Sequence, residues 1–90
     1  MVTHAVPATN LIASQHERGV VILDVGRGRL FASNRTGAEI WRQLEEQRSI
    51  DAISRDLSHR YRISSDAAWA YTAEFVAALE RERLVERRLA

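Results

Sequence analysis

The spacing of apolar residues changes once along this 90-residue chain, at Asn34, and that change constrains the fold more than any other feature. Before it, the chain reads as short aliphatic runs cut by glycine. "VVILDV", Val20 to Val25, is the clearest, bounded by Gly19 and Gly26. Glu17-Arg18-Gly19 and Gly26 to Gly28 are turn signals, since glycine supplies the positive φ that tight hairpins need. With Leu11 to His16 on one side and Arg29 to Ser33 on the other, these turns predict two hairpins and a three-stranded antiparallel meander. Residues 1–10, which hold the only proline, Pro7, read as a loose lead-in or the start of a first strand.

After Asn34 the period becomes helical. Thr36 and Glu39 have the spacing of a capping box, and Ile40, Trp41 and Leu44 then share one face. Ser49 is a plausible N-cap for a second helix marked by Ile50, Ile53, Leu57 and Tyr61. Ser64 or Ser65, with Asp66 in the first turn, opens a third. Its stripe is Ala68, Thr72, Phe75, Val76 and Leu79, with Trp69 on one flank and Tyr71 and Ala78 on the other. Leu84 to Glu86 closes the chain as a last turn or a brief extended tail. Three strands over about 11–33 and three helices over about 35–83 predict one α+β domain across residues 1–90.

The sequence is poor in chemistry. His4, His16 and His59 show no metal-ligand spacing, and the serines stand in no nucleophile-elbow context. Glu45, Glu46, Asp51 and Asp56 read as solvated faces rather than an acid–base pair. "GRG" is not a phosphate loop, because no glycine-and-lysine element opens the helix that follows. Cysteine is absent, which excludes disulfides and thiolate metal sites. No cofactor and no catalysis are expected. The apolar run "AAWAYTAEFVAAL" is too short to span a bilayer and carries Glu74, and no signal peptide is visible, so a cytoplasmic location without membrane contact is expected. A net charge of +1 argues against a nucleic-acid binder, whose affinity rests on a basic face.

Three features remain. Arg29 to Ser33 falls at a sheet edge, and a free edge can accept a strand from another chain, including a second copy of this one. The alternative is an edge blunted by Arg27 and Arg29. Trp69, Tyr71 and Phe75 crowd the third helix: Phe75 is expected in the core, and Trp69 or Tyr71 is expected to be partly exposed and open to a ligand. Arg81, Arg83, Arg87 and Arg88, interleaved with Glu80, Glu82 and Glu86, complement the helix dipole; the alternative is a docking patch for an acidic partner.

Leu23-Asp24, Gly28 to Phe31, Asn34 to Gly37, Ile40-Trp41, Tyr61 and Leu84-Val85 together carry a pattern that resembles the PqqD-like peptide chaperones. These are the precursor-peptide recognition elements of ribosomally made, modified peptides. The resemblance runs from about Leu11 to Glu86. It implies a winged-helix-like domain, a three-stranded antiparallel sheet followed by a three-helix bundle, without catalysis of its own. It implies a stand-alone module that captures a leader segment as a strand added beside Arg29 to Ser33 and presents it to a modifying enzyme or leader protease, as in lasso-peptide biosynthesis. The backbone contacts would fall on Arg29, Leu30, Phe31, Ala32 and Ser33. The side-chain contacts would come from Leu30 and Phe31 and from Tyr71, Phe75 and Ala78, with Trp69 a further candidate. This sequence has Ser33 where the family commonly has leucine, Tyr71 where aspartate is frequent, and Glu46-Gln47-Arg48 in place of an aspartate-glycine turn. The competing expectation is a winged-helix DNA-binding regulator; the first half of the third helix, "DAAWAYTAEF", lacks the arginine, asparagine or glutamine that reads bases.

Overall fold

The glycine turns form the two expected hairpins. In the computed structural model, which describes residues 3–89, β2 (Leu11–His16), β3 (Gly19–Asp24) and β4 (Arg29–Asn34) make an antiparallel sheet in the order β2-β3-β4. The β3–β4 turn is built by Asp24. Its carbonyl accepts the Gly28 N–H at 2.8 Å, and its Oδ1 accepts the Arg27 N–H at 3.2 Å. Gly28 sits at φ 63°, a left-handed conformation that other residues adopt only at a cost. This turn sets Ile22 opposite Phe31 and Val20 opposite Ser33.

Three helices follow: α1 (Arg35–Glu45), α2 (Ile50–Tyr61) and α3 (Ser65–Arg81). Ser49 and Ser64 cap α2 and α3 as expected, each hydroxyl accepting a backbone N–H three residues on, at 3.1 and 3.0 Å. The capping box expected at Thr36 is not used. The helix begins two residues earlier, so Asn34 is the N-cap and its Oδ1 accepts the Gly37 N–H at 2.9 Å. Glu39 pairs instead with Arg42, at 3.1 Å, and with Arg60 of α2.

Both chain ends add structure that the sequence left open. β1 (Thr3–Pro7) and β5 (Val85–Leu89) pair antiparallel as a second, two-stranded sheet. The closing segment is therefore a strand rather than a last helical turn, and it buries Ala5, Leu84 and Val85 with the core. Val20 and Ile22 of β3 meet Ile40, Trp41 and Leu44 of α1, Ile50, Ile53 and Leu57 of α2, and Ala68, Val76 and Leu79 of α3 in that core. Thr72, also buried, satisfies its hydroxyl on the Ala68 carbonyl at 2.8 Å.

Strand alternation gives the three-stranded sheet two faces. Val20, Ile22, Phe31 and Ser33 face the helices. On the other face Ile12, Leu23 and Leu30 stand opposite one another across the three strands, with Val21 and Ala32 in the next row. Ile12 is 60 % and Leu30 71 % exposed. An antiparallel sheet usually turns polar side chains to solvent, so an aliphatic outer face is a departure from the rule.

Candidate peptide-binding groove

β4 pairs with β3 on one side only, so its other side carries unpaired N–H and C=O groups. β2 is the sheet's second free edge. What separates the two is what lies alongside. Beside β4 runs α3, whose exposed side carries an open cleft of about 270 Å³ lined by Tyr71, Glu74, Phe75, Ala78 and Arg81, and Phe75 of that lining meets Phe31 of β4. The hollow beside the end of β2 is lined mainly by polar side chains, among them Gln15, Glu17, Arg35 and Arg60.

Three contacts tie β4 to α3 and give their relative direction. Arg29, at the start of β4, hydrogen-bonds through its guanidinium to Glu82, just past the end of α3. Phe31 meets Phe75 edge-on, with ring centroids 6.1 Å apart and planes at 68°. Ser33 and Phe75 converge on Gly37 in the first turn of α1. A Cβ at Gly37 would lie 2.0 Å from Ser33 Oγ and 2.8 Å from Phe75 Cε1, so this glycine is required by close approach. β4 thus runs opposite to α3. Arg29, Phe31 and Ser33 face the helices, and Leu30, Ala32 and Asn34 face away.

The sequence-derived candidates divide accordingly. Tyr71, Phe75 and Ala78 line the cleft, and the β4 candidates approach its α3 wall, Phe31 at Phe75, Ser33 beside Phe75 at Gly37 and Arg29 at Glu82. Leu30 and Ala32 lie on the free edge but turn their side chains to the outer face, so only their backbone groups border the cleft. The Leu30 side chain therefore lies outside the cleft, and the reason is register: Leu23 and Leu30 share the face opposite Phe31. Trp69 is exposed, at 44 %, but lies about 180° around the helix from Ala78 and outside the cleft. Tyr71 is 40 % exposed within it. Phe75, expected in the core, is only half-buried because one side of its ring faces the cleft. Glu74 and Arg81, which were not expected among the peptide-contacting residues, line the same space. Their signal was available: both fall at helical spacing from Tyr71 and Ala78.

The sequence pattern of the family described as coenzyme PQQ synthesis protein D, PqqD, matches residues 19–85. The chain belongs to the PqqD family. The match covers β3 to the start of β5, which includes every residue lining the cleft. Among curated proteins none matches the sequence. Two solved structures share the fold of this PqqD-family chain. One is "TbiB1 in Complex with the TbiA(beta) Leader Peptide", with a TM-score of 0.85 and 22 % identity over 90 % of this chain and 94 % of that one. The other is "Lasso peptide synthetase B1 complexed with the leader peptide", with a TM-score of 0.81 and 21 % identity over 96 % of this chain and 99 % of that one. Among the described residues no helix is long and apolar enough to cross a membrane, and no cluster of side chains could hold a metal ion.

Proposed function

We propose that this PqqD-family chain is a recognition module for the leader segment of a ribosomally made precursor peptide. The leader adds as a strand to the free edge of β4 and seats apolar side chains against Phe31, Tyr71, Phe75 and Ala78. The observation that carries this reading is the pairing of an open strand edge with an aromatic-lined cleft along it. Backbone groups on β4 supply affinity with little regard to sequence, and the α3 wall supplies selectivity. The distance from Tyr71 to Arg81 along the helix is about 15 Å, which matches about five residues of extended chain. Family membership and two leader-bound structural neighbours support the same reading. The chain performs no chemistry itself and hands the bound precursor to a modifying enzyme or leader protease in the cytoplasm.

Titrating the isotope-labelled protein with synthetic leader segments of precursor peptides tests this. Amide signals of Arg29 to Asn34 and of Tyr71 to Arg81 should shift. Phe75→Ala should weaken binding about tenfold or more, as expected when a central aromatic anchor of an interface is truncated. Trp69→Ala should leave affinity unchanged. Binding that moves β2 or the β1–β5 sheet and leaves β4 still would overturn the reading.

A further inference from the structure

A strand edge reads backbone and is indifferent to sequence, so selection has to come from the side chains that line the cleft. Glu74 and Arg81 are two such side chains. They lie seven residues apart on α3, about 10.5 Å along the helix, with Tyr71, Phe75 and Ala78 between and beside them. Both are exposed. Several neighbouring charges already have partners: Arg29 pairs with Glu82, Arg87 with Glu80 and Arg88 with Glu86. Among the described residues Glu74 and Arg81 enter no ion pair. The sequence explains why. Ala70 and Ala78 stand four residues to either side of Glu74, and Ala77 and Val85 do so for Arg81, so neither has an opposite charge at helical spacing. Along the cleft the helix therefore presents a bare anion, Glu74, and a bare cation, Arg81, on either side of Phe75 and Ala78.

The fold also gives this polarity a direction. The Arg29–Glu82 pair and the Ser33–Phe75 approach show β4 running against α3. Every pairing in the sheet is antiparallel, and antiparallel addition is the more stable per residue. A strand added antiparallel to β4 runs from the Ser33 end to the Arg29 end, alongside α3 from Glu74 toward Arg81. Its side chains at i−2 and i+2 are about 13 Å apart, close enough to the 10.5 Å spacing for long side chains to reach both charges.

Resting on the leader-binding reading, we infer that the cleft selects segments of the form basic–x–apolar–x–acidic, written from N to C. Glu74 takes the basic side chain, Phe75 and Ala78 take the apolar one, and Arg81 takes the acidic one. Charge order, rather than one anchor residue alone, then sets both register and direction.

The test needs no knowledge of the natural precursor. A phage-displayed library of random 12-residue peptides is selected against the full chain and against the Glu74→Arg/Arg81→Glu double variant, whose fold is checked by circular dichroism. The wild-type protein should enrich basic–x–apolar–x–acidic peptides and the double variant the reversed order. A synthetic wild-type-selected peptide should bind the double variant at least tenfold more weakly, and its charge-swapped version should recover affinity. Peptides that shift the β4 amides yet show no charge order, or the same order with both proteins, would sink this inference and leave leader binding standing. A selection in which no peptide moves β4 would overturn both.

Discussion

Gly37→Ala isolates the junction on which the groove depends. The new Cβ would lie 2.0 Å from Ser33 Oγ, 2.8 Å from Ser33 Cβ and 2.8 Å from Phe75 Cε1. A Ser33 rotamer change relieves the first contact only; the other two require β4 or the Phe75 ring to move. Overpacking of this kind costs about 1–3 kcal/mol. Alanine in place of glycine in a helix returns about 1 kcal/mol. The net expectation is a loss of about 1 kcal/mol, which lowers Tm by about 4–8 °C in a domain of this size. The affinity for a bound strand should fall as well, since Ser33 and Phe75 flank the cleft. Urea and thermal unfolding give the first quantity, and peptide titration the second. A double-mutant cycle with Ser33→Gly removes two of the three contacts and should reveal a coupling of about 0.5–1 kcal/mol or more. An unchanged or raised Tm for Gly37→Ala, or a coupling near zero, would refute the steric argument.

Two further outcomes concern stability. Gln47 follows α1 at φ 61°, the left-handed conformation that glycine tolerates best. Gln47→Gly should relieve about 1–2 kcal/mol of backbone cost while adding about 0.5–1 kcal/mol of unfolded-state entropy, so a small rise in the urea midpoint is expected, and a fall would contradict it. At Asp56 partial burial works against the charge, but hydrogen bonds from Gln43 and Arg60 and the nearby Arg60 and Arg48 outweigh it and hold the carboxyl below its ordinary value. A folded-state value below the unfolded one means stability that is present above about pH 4 and lost as the pH falls through the folded value. Asp56→Asn should therefore be less stable at neutral pH and should lose less on acidification; an acid limb as steep as in the wild type would exclude this role.

Where local chemistry decides a structure, the sequence was readable. Ser49 and Ser64 cap their helices because a hydroxyl before an apolar-periodic run has one efficient use, and "VVILDV" between two glycines has few alternatives to a strand. Asn34 and Thr36 are both good caps, two residues apart, and only the true helix start selects Asn34. The β1–β5 ribbon escaped for a different reason. "THAVP" and "VERRL" carry proline or charge instead of an aliphatic run, and each becomes a strand through pairing with the far end of the chain. The three helices end at Gln47, Arg62 and Arg83 in left-handed conformations without the glycine that normally marks such stops. Of the site, the edge strand and the α3 aromatics were legible. The outward turn of Leu30 was not, because a residue's face depends on register with β3, and the placement of Trp69 required knowing which flank of α3 borders β4.

The aliphatic row of Ile12, Leu23 and Leu30 bears on how an occupied groove would look from outside. A fourth strand hydrogen-bonded to β4 would send alternate side chains to each face of the sheet. One set would be hidden against α3, and the other would join the outer row beside Leu30 and Ala32. Empty, the sheet shows a display surface three strands wide; occupied, it would show one four strands wide, with its last column written by the cargo. A third protein resting on that surface would then meet a loaded carrier and an empty one as two different molecules.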